Sequence, residues 1–195
     1  MGIDIPLPGA SLRYYPDYVT DADRLFCALR DGIDWQQPQL KVFGKWHPTP
    51  RLVAFVGDEG VSYRYSAQRH QALPWPDVLC AVRRQLRLDF DLDFNSALLN
   101  YYRDGDDSMG WHSDDEPELG AAPAIASLSL GDSRDFRFRP FPGRHQAGSP
   151  THTVTLENGS LLVMLPPTQE FWQHSLPRRA RRGPRINITF RNICR

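Results

Sequence analysis

Two histidines and one aspartate stand at a spacing that suits a metal site. His112 and Asp114 are separated by a single residue, and His174 lies further along the chain. Side chains alternate between the faces of a strand, so His112 and Asp114 are expected on one face of the same strand. Two imidazoles and one carboxylate are the ligands of iron(II) sites that keep one face open for oxygen and a co-substrate. The pair also arises by chance, so its surroundings decide the interpretation.

Those surroundings include a strand-like segment, Arg185–Arg191, in which polar and apolar residues alternate. One face would carry Arg185, Asn187, Thr189 and Arg191, and the other Ile186, Ile188 and Phe190. A guanidinium group binds a carboxylate through two parallel hydrogen bonds, so arginines that face a metal pocket favour a dicarboxylate partner. Together the two patterns predict an oxygenase that uses Fe(II), O2 and 2-oxoglutarate.

The size and composition are those of one globular domain. The chain has 195 residues, of which 41% are hydrophobic and 24% charged, and these fractions are ordinary. No apolar run approaches the roughly 20 residues that cross a bilayer, and the N-terminus lacks the layout of a secretory signal. Cys27, Cys80 and Cys194 form neither a disulfide framework nor a zinc motif. We therefore expect a single domain over residues 1–195, a monomer without a membrane partner, in the cytoplasm or, in a eukaryote, the nucleus.

The charges are unevenly distributed although the net charge is zero. Seven arginines and no acidic residue lie from Arg178 to Arg195, whereas seven acidic residues and no lysine or arginine lie from Asp104 to Glu118. A local basic patch sets the electrostatic field at a contact surface, so the neutral total does not exclude a nucleic-acid partner. The cluster Arg178–Arg182 is equally compatible with a solvated loop.

Hydrophobic periodicity predicts two helices and a longer series of strands. The first helix should begin near Thr20, where Thr20 and Asp23 resemble a capping box, and the second near Pro76. The expected extended segments are Lys41–Trp46, Arg51–Val56, Val61–Tyr65, Ser96–Tyr102, Ala124–Leu130, Phe136–Arg139, Thr151–Leu156, Leu161–Leu165 and Arg185–Asn192. This pattern predicts a mainly β fold with flanking helices (α+β), a jelly roll of the double-stranded β-helix type.

Ordered motifs over most of the chain, from Pro38 to Ile193, resemble those of the AlkB family of Fe(II)/2-oxoglutarate dioxygenases, which demethylate nucleic acids. The motifs are Asn100–Gly105, Trp111–Glu116, Ile125–Gly131, Arg134–Phe136, Trp172–Pro177 and Arg185–Arg191. In the front half, the segments Val42–His47, Pro50–Arg51, Gly57–Asp58 and Tyr63–Ser66 resemble the duplex-DNA repair branch of that family. The resemblance implies that residues up to about 94 form an extension with a nucleotide-recognition lid, and that residues from about 95 form the jelly-roll catalytic core.

The resemblance also implies the cofactor residues and the reaction. His112, Asp114 and His174 match the iron ligands, and the positions that hold 2-oxoglutarate match Asn100, Tyr102, Arg185 and Arg191, with Asn187 and Thr189 in support. We expect Arg185 at the distal carboxylate and Arg191 at the keto-acid end, although the residue types do not settle this assignment. The implied reaction repairs 1-methyladenine and 3-methylcytosine in DNA, coupling 2-oxoglutarate decarboxylation to methyl hydroxylation and formaldehyde release.

A second group of residues is implied to contact the nucleic acid. Tyr63, Tyr65 and Ser66 match base-pocket positions, and a damaged base must leave the duplex stack to reach such a pocket. Glu116 matches an acid near the exocyclic amine of the base, where a carboxylate favours a cationic methylated base.

Duplex DNA would be contacted by Phe43 and by basic residues. Phe43 lies between Lys41 and Lys45, the only two lysines of the chain, and an apolar wedge can fill the gap left by a flipped base. Phe43 and Trp46 are equally the type of residue that forms the core of a hairpin. The expected phosphate contacts are Arg51, Arg134 and Arg178–Arg182.

Two alternatives remain open at the level of sequence. The same fold could oxidise RNA, a protein side chain or a lipid, since a fold does not determine a substrate. A non-catalytic binding module would require a broken cofactor site, and the ligands and arginines of that site are all present.

Overall fold

The computed structural model describes residues 1–42, 44–65, 68–143 and 150–194, except for the side chains of residues 42, 63–65 and 68–70. Within these ranges the helices are α1 (Ala22–Gly32), α2 (Asp77–Phe90) and the short α3 (Thr168–Phe171), with a 3-10 turn at Pro117–Leu119. The strands are β1 (Ile3–Asp4), β2 (Ser11–Tyr15), β3 (Gln39–Val42), β4 (Lys45–Pro48), β5 (Leu52–Gly57), β6 (Ser62–Tyr65), β7 (Gln68–Gln71), β8 (Ser96–Tyr102), β9 (Met109–His112), β10 (Ile125–Gly131), β11 (Arg134–Pro140), β12 (His152–Leu156), β13 (Leu161–Leu165), β14 (Trp172–Leu176) and β15 (Arg185–Arg191).

Two antiparallel sheets face each other as a jelly roll. Among the described residues the major sheet has the order β1-β2-β13-β10-β15-β8-β5, and the minor sheet has the order β12-β11-β14-β9. Two separate hairpins, β3–β4 and β6–β7, stand outside both sheets. The N-terminal part of the chain therefore contributes three strands to the major sheet, in addition to the predicted hairpins and helices.

The period-two pattern of the central strands builds a separate core on each face of the major sheet. Odd residues of β8 and even residues of β15, such as Leu99, Ile186 and Phe190, pack against α1 and α2. Between the sheets a second core includes Ile125 and Met164 from the major sheet and Phe138 and Trp172 from the minor sheet. Burial of apolar side chains in both cores holds the sheet between the helices and the second sheet.

Polar side chains of the central strands share the inner face with this second core. In the antiparallel pairing of β15 with β8, Arg185 lies opposite Tyr102 and Asn187 lies opposite Asn100, so these side chains are neighbours. A slip of one residue in the register would turn every side chain of a strand to the opposite face. Since the apolar side chains of β8 and β15 must face α1 and α2, their polar side chains must point between the two sheets.

The predicted jelly roll and both predicted helices are confirmed. Ser96–Tyr102 and Leu161–Leu165 match the observed strands residue for residue, and the other strands predicted after Asn95 differ by one or two positions at their ends. The predicted extended segment Lys41–Trp46 is wrong, because the chain reverses within it between β3 and β4. The predicted capping box is wrong: α1 begins after Asp21 without a side-chain cap, and Asp23 instead accepts a hydrogen bond from Asn158 at 2.7 Å. Among the described helices, none is long and apolar enough to span a membrane.

Candidate metal and 2-oxoglutarate site

The three predicted metal ligands meet at one end of the jelly roll. Possible ligand atoms of His112, Asp114 and His174 all lie within 4.8 Å of one another. His112 ends β9 and pairs directly with His174 of β14, where the register of the two strands shifts. The expectation that His112 and Asp114 share one strand is wrong, because β9 ends at His112 and Asp114 lies in the following loop.

Hydrogen bonds orient these side chains for binding a cation. The ring Nδ1 of His112 lies 2.9 Å from the carbonyl oxygen of Gly110, a hydrogen-bond acceptor that fixes the orientation of the ring, so that Nε2 is the ring nitrogen that could bind a metal. Asp114 Oδ1 accepts a hydrogen bond from Arg191 Nη2 at 2.5 Å, whereas Asp114 Oδ2 lies 3.7 Å from His174 Nε2. One carboxylate oxygen is thus used by the protein, and the other faces the histidines.

The electrostatics favour the protonation states of a metal ligand set. Burial, aided by the neighbouring His112 and Arg191 and opposed by Asp114, lowers the pKa of His174 to about 3 and keeps its imidazole neutral. Burial by itself would raise the pKa of Asp114, but Arg191 and the two histidines outweigh it and hold that pKa below its usual range. A neutral imidazole and an ionised carboxylate are the forms that bind metals.

Arg185 is a buried cation without an acidic partner. Its side chain is 1% exposed, it stacks over Tyr102 at 5.4 Å, and its Nη2 donates to Ser129 Oγ at 2.9 Å. No carboxylate among the described side chains pairs with it, and its Nε has no hydrogen-bond partner there. Burial lowers the pKa of Arg185 to about 10, which leaves it charged at neutral pH. A buried unpaired charge is costly, so this position fits a carboxylate supplied by a bound molecule.

The remaining predicted cofactor residues line the same inner face. Asn187 donates to Ser127 Oγ at 2.8 Å and to the carbonyl oxygen of Leu128, while Thr189 donates to Asn187 Oδ1 at 3.0 Å. These bonds are internal, so Asn187 and Thr189 support the pocket. Asn100 and Tyr102 lie on the neighbouring strand and are almost fully buried.

Two predicted phosphate contacts are wrong because both arginines are buried. Arg51 is 4% exposed and donates through Nε to Asn100 Oδ1 at 2.8 Å. Arg134 is 1% exposed and donates to three backbone carbonyls, those of Asp104, Asp107 and Pro177. Arg51 therefore orients a predicted cofactor residue, and Arg134 joins two loops to β11.

The other predicted substrate residues fall into three groups. Glu116 lies in the loop after β9, two residues beyond Asp114, with Oε1 at 3.5 Å from Arg191 Nη1. Within the cluster Arg178–Arg182, Arg179 and Arg182 pair with Asp135 and Asp132, whereas Arg178 and Arg181 are exposed and have no ion pair with described residues. Phe43, Ser66 and the side chains of Tyr63 and Tyr65 lie outside the described part of the chain.

Several residues of the site were missed by the sequence analysis. Ser127 and Ser129 of β10 bond the polar side chains of β15, and Gln169 of α3 accepts a hydrogen bond from the backbone N–H of Asp114 at 3.0 Å. The alternation of small polar and apolar residues in Ile125–Gly131 would have placed both serines on the inner face. Among local patterns, we find none that indicates the contact made by Gln169.

Comparison with known proteins agrees with this site. The profile of the 2OG-Fe(II) oxygenase superfamily matches residues 11–191. The chain is 42% identical over 180 residues to the mouse (Mus musculus) DNA oxidative demethylase ALKBH2, covering 89% of this chain and 75% of that protein. It is 40% identical to the human (Homo sapiens) protein of the same name, covering 89% and 69%.

Two further matches extend the comparison. The mouse alpha-ketoglutarate-dependent dioxygenase alkB homolog 3 is 38% identical over 187 residues, covering 92% of this chain and 65% of that protein. A solved structure of OsALKBH1 shares the fold with a TM-score of 0.61 at 18% identity, covering 96% of this chain and 98% of the other. The chain therefore belongs to the 2OG-Fe(II) oxygenase superfamily and, within it, to the AlkB family of enzymes that use Fe(II), 2-oxoglutarate and O2.

Proposed function

We propose that this protein is an oxidative demethylase that repairs N-alkylated bases in DNA, such as 1-methyladenine and 3-methylcytosine. The observation that carries the chemistry is the buried Arg185, which has no acidic partner among the described side chains, together with the triad His112, Asp114 and His174. The substrate is supported by two DNA oxidative demethylases at 40% and 42% identity. A cytoplasmic or nuclear location and a monomeric state belong to the same proposal.

The chain's own residues would hold the cofactors as follows. His112 and His174 would bind iron through Nε2, and Asp114 would bind it through Oδ2. When bound, iron, 2-oxoglutarate and O2 supply the oxidation of the methyl carbon, which is then lost as formaldehyde. Arg185 would bind the distal carboxylate of 2-oxoglutarate, since it lies at the opposite end of β15 from Arg191, which contacts Asp114.

Asn100 and Tyr102 would complete the 2-oxoglutarate pocket beside Arg185. Arg51 accounts for one hydrogen-bonding position of Asn100, because it donates to Asn100 Oδ1. The amide Nδ2 of Asn100 then remains as a donor for a carboxylate or keto oxygen. Arg191 would compensate the negative charge of Asp114 and of the keto-acid end.

The base would be held from the open side of the triad. Glu116, whose Oε1 lies 3.5 Å from Arg191 Nη1, would favour a cationic methylated base over its neutral form. Tyr63, Tyr65 and Ser66 remain the proposed base pocket, the hairpins β3–β4 and β6–β7 the proposed lid, and Phe43 the proposed wedge in duplex DNA.

The proposal is tested by demethylation of paired oligonucleotides. With Fe(II) and 2-oxoglutarate, the wild-type protein is expected to remove the methyl group of 1-methyladenine from single-stranded and duplex DNA, releasing succinate and formaldehyde. His174→Ala is the control for contaminating activity. Absence of repaired base in DNA, with turnover on RNA or on a protein substrate, would instead support the alternative substrates of the same oxygenase site.

Arg178 and Arg181 are expected to contact phosphates, because they are the exposed arginines of their cluster without an ion pair in the described part of the chain. The double variant Arg178→Ala/Arg181→Ala should weaken DNA binding equally for all sequences. The slope of log affinity against log salt concentration should become shallower by about 0.9 for each arginine that no longer neutralises a phosphate. Fluorescence anisotropy at several salt concentrations measures both effects.

The matched control is Arg179→Ala/Arg182→Ala, which removes two positive charges from the same loop. Their partners Asp135 and Asp132 already neutralise these charges. This control should leave the slope close to that of the wild type. If the two double variants changed the slope equally, the assignment of Arg178 and Arg181 as phosphate contacts would be wrong.

A further inference from the structure

The loop that carries Asp114 is tied by two side-chain hydrogen bonds to the segment that precedes His174. Gln169 Oε1 accepts from the backbone N–H of Asp114 at 3.0 Å. Ser113 Oγ donates to the backbone carbonyl of Trp172 at 3.1 Å. All four residues are at most 8% exposed. Both bonds therefore lie in the interior, where hydrogen bonds are least weakened by water.

These bonds connect two segments that carry predicted metal ligands and lie far apart in the sequence. The residues of the two bonds are 55 and 59 positions apart in sequence. Asp114 lies beyond the end of β9, so its backbone N–H is held by a side chain rather than by a strand ladder. Trp172 begins β14 and lies two residues before His174. The two bonds consequently link the loop of Asp114 to the segment that leads into the strand of His174.

The segment that provides the acceptors is itself anchored to the major sheet. Thr168 Oγ1 accepts from the backbone N–H of Ser11 at 3.0 Å and donates to the carbonyl of Leu165 at 2.6 Å. Trp172 Nε1 donates to the carbonyl of Pro8 at 2.9 Å. A side chain can hold a neighbouring loop in position only if it is itself held in one place, and these bonds hold Thr168 and Trp172.

We propose that Gln169 and Ser113 are positioning residues for the metal site, and that they hold Asp114 and His174 at the separation a metal ion requires. Neither side chain touches the expected ligand atoms; both act through backbone groups next to the ligands. The inference rests on the proposed metal site at His112, Asp114 and His174. Outer contacts of this kind change metal affinity by about 10- to 100-fold in other metal sites.

The experiment measures Co(II) affinity by absorbance titration of the purified full chain. Gln169→Met keeps the length of the side chain and removes the acceptor oxygen, and Ser113→Ala removes the donor. Each is expected to raise the dissociation constant for Co(II) by about 10- to 100-fold and to alter the ligand-field spectrum. Ser113→Thr, which keeps the hydroxyl, should restore wild-type affinity.

The matched control is Gln173→Met, on the same strand and next to His174. Gln173 Oε1 accepts from Arg139 Nε at 2.9 Å, and none of its hydrogen bonds with described residues reaches the loop of Asp114. This control should bind Co(II) as the wild type does. A Gln169→Met variant that loses thermal stability but keeps wild-type Co(II) affinity would show a purely structural role and overturn the inference.

Three further outcomes complete the test and separate the inference from its premise. If Gln169→Met fails to fold, Ser113→Ala tests the positioning role through the second hydrogen bond, that between Ser113 and Trp172. If the wild-type protein binds no Co(II), the proposed metal site fails and the inference fails with it. Wild-type binding together with unchanged binding by both variants overturns the positioning role alone.

Discussion

Replacement of Arg185 by methionine is expected to make the ligand-free protein more stable and to weaken 2-oxoglutarate binding. Arg185 is a buried charge with no described acidic partner. Even a paired buried charge can often be replaced by apolar residues of similar volume with a gain of up to about 4 kcal/mol, so we expect the unpaired Arg185 to gain at least about 1 kcal/mol. For a chain of this size, the melting temperature should rise by about 2–4 °C per kcal/mol. Loss of the guanidinium should weaken 2-oxoglutarate binding by about 100-fold, since a buried charge pair contributes several kcal/mol.

Arg134 provides the matched control for this prediction. It is as buried as Arg185 and also lies over the ring of Tyr102, at 6.0 Å. Its Nε, like that of Arg185, has no hydrogen-bond partner among the described residues, but its Nη1 and Nη2 donate to three backbone carbonyls. Arg134→Met should therefore lower the melting temperature, because it leaves buried acceptors unsatisfied. Differential scanning fluorimetry with and without 2-oxoglutarate measures both variants. A fall in the melting temperature of ligand-free Arg185→Met would contradict the interpretation of Arg185 as a buried charge that lacks an acidic partner until a carboxylate binds.

Replacement of Asp114 by asparagine is expected to have the largest effect on catalysis. The substitution removes the negative charge of the proposed metal ligand, so the buried Arg191, whose Nη2 lies 2.5 Å from Asp114 Oδ1, would face a neutral amide instead of a carboxylate. Demethylation should fall by at least about 10³-fold, as it does when a central catalytic group is removed. Breaking a buried ion pair from one side should also cost about 3 kcal/mol of unfolding free energy. Succinate release and chemical denaturation measure the two effects.

Asp107→Asn separates the catalytic effect from the effect on stability. Asp107 is 5% exposed and accepts three hydrogen bonds from Arg103, on a loop that carries none of the predicted metal ligands. This variant should lose stability and keep its affinity for Co(II) and 2-oxoglutarate. Wild-type turnover by Asp114→Asn would exclude Asp114 as a metal ligand.

The architecture was predictable wherever a local pattern determines it. Leu161–Leu165 is an apolar run bounded by turn signals, and Arg185–Arg191 alternates, so both strands and their faces follow from residue order alone. The loop position of Asp114 was not predictable, because the end of β9 depends on its pairing with β14. The cap of α1 was also mispredicted, since Asp23 accepts a hydrogen bond from a residue 135 positions away instead of capping its helix.

The chemistry expected of the site follows from residue order, because residue types and the alternation of side chains along a strand are local properties. Residue order was enough to predict His112, Asp114 and His174 as ligands, together with both arginines of β15. Which arginines are free to bind another molecule depends on the packing of the strands. Arg134 and Arg185 are the same residue type and each is 1% exposed, but backbone carbonyls from distant loops accept hydrogen bonds from the first, whereas the second has only Ser129 Oγ among the described acceptors. Burial and pairing depend on contacts between residues far apart in the chain, and these exist only once the strands have packed.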